Sequence, residues 1–177
     1  MPHLPYPGPE PSSDRIRVES AARAQRGGKL LNLYRMLLHS PVVAEAWLGL
    51  GTAIRYRTGI SPRQRELSIC LISLLNDCEY EWHQHAREAV EAGVGVDELG
   101  DLTSWRSSRH FDEKDRTVLH YVEQTTLGHP LHDDEFERLS QLLDETQIVE
   151  LTALVGYYTG LSRFLIALGV DDSDEES

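Results

Sequence analysis

The segment Cys78-Glu79-Tyr80-Glu81-Trp82-His83-Gln84-His85 sets a carboxylate and an imidazole four residues apart. On a helix, Glu81 and His85 then share one face a single turn apart, an arrangement in which the acid can orient and tune a proton carrier. A second carboxylate, Glu66, lies ten positions before Asn76, and His85 lies nine after it. If the chain reverses at Asn76 in an antiparallel helical hairpin, both stand about 15 Å from the turn at about 1.5 Å per residue. Glu66 then meets His85 wherever their faces agree. A histidine held between two carboxylates has a fixed tautomer, and burial of one carboxylate would keep that group protonated near neutral pH. Together the three form an acid and base set.

Cys78 opens the same helix, where unpaired amides and the positive end of the dipole favour a thiolate. Seven residues of helix separate it from His85, a rise of about 10 Å, so Glu81 or a water would have to relay its proton. Cys70, among Leu67, Ile69, Leu71 and Ile72, reads as a small buried hydrophobe without a chemical role. Glu66, Glu81 and His85 are metal-ligand types, but the remaining histidines are scattered and supply no second spaced pair, so the reading is of a site without a metal.

The elements that must position these residues are helical. Apolar residues recur at helical spacing nearly throughout, and no stretch has the alternation of a strand, so the fold class is all-α. Helices are expected at about 14–25, 29–39 and 41–56, with Gly27, Gly28 and Gly59 as punctuation. Ser61, Pro62 and Gln64 form the clearest helix start, running to about Leu75. Asn76 or Asp77 is expected to cap the next helix, from about Cys78 to just before Gly93. Shorter helices follow at 97–102, 112–126 and 134–143. The last, 145–168, is apolar over more than one stripe and should be buried on several sides. Residues 1–13 read as a flexible N-terminal arm, 14–170 as one domain and 171–177 as an acidic tail.

A chain of 177 residues can bury a core without disulfides or metals to staple it. Its 29 acidic against 17 basic residues give a formal charge of -12, which argues against nucleic acid and anionic membrane surfaces as partners. Two cysteines within helical pattern point to a reducing compartment, and the first residues lack the pattern of a signal peptide, so a cytoplasmic protein is expected.

From about Leu30 to Val170 the chain resembles the carboxymuconolactone decarboxylase-like and alkylhydroperoxidase D-like superfamily. Alkylhydroperoxidase D-like members carry a glutamate and then, after a gap, Cys-x-x-Cys followed by x-x-x-His, a thiol pair with a proton relay. Glu66, Cys78 and His85 fall at matching positions, while Glu81 stands where the second cysteine would be. That removes the thiol expected to attack peroxide. The decarboxylase branch resembles Glu-x-x-x-His, which Glu81 and His85 reproduce, but it usually lacks the upstream glutamate. The resemblance implies a compact helical fold, a homotrimer or homohexamer with sites near subunit contacts, and no metal or organic cofactor.

Read together, these features point to a cofactor-independent enzyme that decarboxylates, eliminates or isomerises a small organic acid or lactone. His85 would move the proton, Glu81 would orient it, Glu66 would act as a second acid or hold a water, and Cys78 would line the pocket. Arg63 or Arg65 would supply the positive group that an anionic substrate needs. Two alternatives stand beside it: a thiol-dependent peroxidase using Cys78, and a non-catalytic oligomer that binds a ligand in the same place.

Overall fold

A computed structural model describes residues 2–8 and 11–172, so most of the expected acidic tail, residues 173–177, lies outside the described residues. Among the described residues every regular element is helical, in agreement with the all-α reading. Contacts divide the chain into two compact units, Met1–Arg57 with Phe164–Ser177, and Thr58–Arg163.

The first unit contains α1 (Ser13–Gln25), α2 (Asn32–Leu37) and α3 (Pro41–Tyr56). Helix α1 starts where the Ser12 side chain accepts from the Arg15 amide. Helix α2 is shorter than the expected 29–39. Gly27 and Gly28 take left-handed φ values of 63° and 89°, and Leu31 is extended with no side-chain cap, so helical geometry cannot begin before Asn32. Ser40 is extended because it precedes Pro41, which then occupies the first position of α3. Val18, Ala22, Leu33, Tyr34, Met36, Leu37, Ala44 and Leu48 make the core of this unit.

The second unit contains α4 (Pro62–Leu75), α5 (Glu79–Glu91), α6 (Val96–Gly100), a 3-10 turn at Leu102–Ser104, α7 (Glu113–Leu127), α8 (Asp133–Ser140) and most of α9 (Glu145–Leu168). Ser61 accepts from the Gln64 amide at 3.2 Å, the expected cap of α4. Asp144 caps α9 with a reciprocal box: its side chain accepts from the Gln147 amide at 2.8 Å, and the Gln147 side chain accepts from the Asp144 amide at 3.2 Å.

Helix α4 is the centre of this unit: every residue from Glu66 to Ser73 is buried, because α5 and α7 both pack on it. Its polar members are satisfied within the helix or across it. Ser68 and Ser73 donate to the carbonyls four residues back, at 2.8 and 2.7 Å. Arg63, at the edge of the buried run, bonds Asp115 of α7 at 2.7 Å and also pairs with Glu98 of α6. That fastens α4 to both neighbours.

The turn between α4 and α5 differs from the expectation in one respect. Asn76 ends α4, and Asp77 takes a left-handed φ of 53°. The N-cap of α5 is therefore Cys78 rather than Asn76 or Asp77. A reversal this short needs one residue in the left-handed region, and aspartate tolerates it better than most residues. Asp77→Val should accordingly lower stability by about 1–2 kcal/mol, since a β-branched residue is strained there, whereas Asp77→Gly should leave it equal or higher. Urea unfolding of both variants measures this; equal losses in the two would mean that φ is not what Asp77 contributes.

Candidate functional site

The hairpin brings Glu66, Glu81 and His85 together. Glu66 of α4 faces α5, and its Oε2 lies 2.6 Å from His85 Nδ1. On the other side of the ring, His85 Nε2 lies 3.5 Å from Glu81 Oε2. All three side chains are almost wholly enclosed, at 1%, 4% and 4% exposure for Glu66, His85 and Glu81. The equal-height argument therefore holds in three dimensions.

Glu66 has a second partner, because Arg65 Nε donates to Glu66 Oε1 at 2.9 Å. Burial by itself pushes the Glu66 carboxyl up, but the His85 hydrogen bond and charge, together with Arg65, outweigh it and hold the group below the usual glutamate range. Glu66 is thus an anion with each oxygen engaged, and the expectation that burial would keep a carboxyl protonated does not apply to it. Since a carboxylate can only accept, the proton between Glu66 and His85 sits on Nδ1. The nitrogen left to exchange protons is Nε2, the one that faces Glu81.

Tyr158, on α9, closes a further side of the ring, edge-on to His85 with centroids 5.1 Å apart and planes at 89°. Tyr157 packs on Tyr158 in the same manner at 5.2 Å. These contacts restrict the rotation of the imidazole that the two carboxylates already orient.

Cys78 does not behave as its place at the start of α5 suggests. The backbone amides of Glu81 and Tyr80 and the Ser162 side chain all pull the thiol pKa down, but burial pushes it up more strongly, assisted by the Glu81 charge, and the thiol ends above its ordinary value. Desolvation beats the helix start because Cys78 is only 3% exposed. Cys70 is wholly buried as expected, and burial first, then the charges of Glu66, Glu88 and Glu81, raise its thiol.

The two arginines considered for substrate attraction serve carboxylates of the protein instead. Arg63 is engaged by Asp115 and Glu98, which hold its guanidinium above the usual arginine value, and Arg65 is paired with Glu66. His83 is exposed, as its spacing implies.

Glu88 and Tyr158 were not anticipated in the sequence, and Arg65 was anticipated in a different role. Glu88 follows His85 by three residues and Glu81 by seven, so the helical repeat alone could have put it on the same face. Tyr158 was indistinguishable from the other apolar residues of α9. Nothing in the pattern marks Arg65 as the partner of Glu66, because adjacent helical side chains ordinarily diverge.

Residues 41–124, which include Glu66, Cys78, Glu81, His85 and Glu88, match the carboxymuconolactone decarboxylase family. Over 122 residues the chain is 29% identical to the uncharacterized protein YnjA of Escherichia coli (strain K12), covering 68% of this chain and 67% of YnjA. Among solved structures, it is similar to the debrominase Bmp8, crystallised as a cysteine-to-alanine variant with 2,3,4-tribromopyrrole, with a TM-score of 0.82, 18% identity and coverage of 98% of this chain and 95% of Bmp8. It is also similar to the alkylhydroperoxidase AhpD core of an uncharacterized peroxidase-related protein from Ralstonia eutropha JMP134, with a TM-score of 0.80, 17% identity and coverage of 96% and 92%. At these identities the solved structures speak for the fold.

Two outcomes are expected. In a Cys70→Ala background, alkylation of Cys78 in the native protein should show a midpoint above the free-cysteine value of ~8.5; a midpoint well below it would contradict the burial argument. Because the Glu66 pKa is lowered on folding, its contribution to stability is present above the unfolded value of ~4.3 and is lost as pH falls through the folded one. Glu66→Gln should therefore lower stability at neutral pH and flatten the acid limb, read from urea midpoints between pH 2 and 7. Equal midpoint losses at every pH would show that Glu66 contributes nothing through its charge. Residues 41–124 thus match the carboxymuconolactone decarboxylase family, and the fold is that of the alkylhydroperoxidase D-like structures to which the chain is similar.

Proposed function

We propose that the protein is a cofactor-independent enzyme that uses His85 as proton carrier to decarboxylate, eliminate or isomerise a small organic acid or lactone. The observation that carries this reading is the short buried contact between His85 Nδ1 and Glu66 Oε2 across the α4–α5 hairpin, with Glu81 on the opposite nitrogen. Glu66 keeps Nδ1 protonated, so Nε2 is the basic nitrogen. A proton taken from substrate by Nε2 creates an imidazolium between two carboxylates, which favour that charge. Returning the proton to the product carbanion, enolate or leaving group restores the resting ring and balances the cycle.

Arg65 neutralises Glu66, so the imidazolium formed during turnover is matched by Glu81. In this reading Glu81 is the residue that exchanges protons with His85 between steps, and Glu66 fixes the tautomer. Cys78 lines the site near Glu81 without serving as a nucleophile. The active species we propose is a homotrimer or homohexamer, a reading supported by exposed apolar side chains such as Val42 at 75% and Val149 at 68%.

A second reading, thiol-dependent reduction of peroxide at Cys78, is favoured by the Ser162 side chain and the two backbone amides that act on the thiol. It requires a Cys78 thiolate to attack peroxide, cleaving the O–O bond to give a sulfenic acid and water or an alcohol, after which two external thiols return Cys78 to the thiol with loss of water and leave as their disulfide. The raised thiol counts against it.

A panel of small lactones, β-keto acids and unsaturated acids, with a halogenated pyrrole such as the Bmp8 ligand, tests the choice. Turnover that falls about 10²–10⁴-fold in His85→Ala and survives Cys78→Ala is the expected result. Circular dichroism must show both variants folded. Turnover that needs Cys78 and consumes peroxide supports the second reading instead, and binding without turnover of any panel member contradicts both.

A further inference from the structure

The geometry points to a divalent-cation site of the zinc class formed by Glu66, His85 and Glu88, in which the metal replaces the proton that His85 Nδ1 shares with Glu66. This goes beyond the acid/base reading: it adds Glu88, which that chemistry does not use, and it stands or falls separately.

One ligand atom from each of the three residues lies within 4.8 Å of the other two. Neutral imidazole nitrogen with two carboxylate oxygens is a donor set suited to zinc, and three protein ligands leave a fourth position for water or an anion. Zinc with bonds of ~2.1 Å holds tetrahedral ligands about 3.4 Å apart, so Glu66 Oε2 and His85 Nδ1, 2.6 Å apart while they share a proton, must part as the metal takes its place, and the Glu88 carboxylate must draw in. Glu88 is half-buried and has more room to move than the enclosed Glu66 and His85.

The sequence organises this set as well. Glu81, His85 and Glu88 fall at i, i+4 and i+7 of α5, one face, and that face meets Glu66 of α4. Three carboxylates are gathered there, and Arg65 is the cation bonded to Glu66. A dication joining Glu66 and Glu88 would sit between two carboxylates. Binding releases the Nδ1 proton, either to Glu81 through Nε2 or to solvent, and it occupies both residues that fix the proton carrier. Zinc is therefore an inhibitor of the acid/base reaction.

The test is calorimetric titration of Zn2+ into the full chain after chelator treatment, repeated with Glu88→Gln, His85→Ala and, as a control on the exposed side of the same helix, Glu91→Gln. One Zn2+ per chain is expected, with affinity unchanged in Glu91→Gln, at least tenfold weaker in Glu88→Gln and lost in His85→Ala. Because Glu88→Gln changes a half-buried side chain, it reports on the site even if His85→Ala fails to fold. Co2+ in place of Zn2+ should give visible absorption bands of a tetrahedral centre, weakened in Glu88→Gln. No binding tighter than millimolar, or equal binding by wild type and Glu88→Gln, overturns the site. Zinc binding of the expected pattern in a protein with no turnover on the substrate panel supports the site and contradicts the acid/base reading alone.

Discussion

A carboxylate buried as deeply as Glu66 has to be answered by other groups, and the arrangement of α4 and α5 follows from that requirement. Breaking a buried pair by removing one partner costs about 3–5 kcal/mol, because the charge left behind has no solvent. Glu66 meets this with His85 at 2.6 Å on one oxygen and Arg65 at 2.9 Å on the other. The Arg65 contact lies within α4, but the His85 contact forms only if the hairpin turns tightly and brings its two helices into one register. The left-handed Asp77 makes that turn, and the buried run from Glu66 to Ser73 holds α4 in place between α5 and α7. Stability and site geometry thus rest on the same bond.

The same burial governs the Cys78 thiol. A thiol at a helix start gains from nearby amides, yet it gains only where solvent or a cation can also support the charge. Cys78 has the amides and Ser162 but is enclosed, with the Glu81 carboxylate adding repulsion. Glu81, three residues after Cys78, thus supplies a negative charge that disfavours the thiolate.

Much of this was legible in the sequence. Pro62 after Ser61, Gly93 past the end of α5 and the helical repeat of α9 marked the elements because they report local backbone preferences, which do not depend on the rest of the fold. The meeting of Glu66 with His85 could be anticipated because counting residues from a hairpin turn is itself a distance measurement. What was not legible depends on burial or on other elements. The truncation of α2 follows from Gly27, Gly28 and an extended Leu31; the fate of the Cys78 thiol depends on how far solvent is excluded; Arg63 was engaged by Asp115 and Glu98, far away in sequence. Tyr158 came from a helix whose apolar residues all look alike until it is known which one faces the imidazole.

The central claim is that Glu66 holds the proton on His85 Nδ1 and leaves Nε2 to exchange. Nitrogen-15 NMR of the imidazole side chains, with His85 assigned by its absence in His85→Ala, reads the tautomer directly in metal-free protein. The account predicts that the neutral ring of His85 carries its proton on Nδ1 in the wild type, and that Glu66→Gln weakens this preference. A neutral ring protonated on Nε2 in the wild type, or a tautomer unchanged by Glu66→Gln, would contradict it.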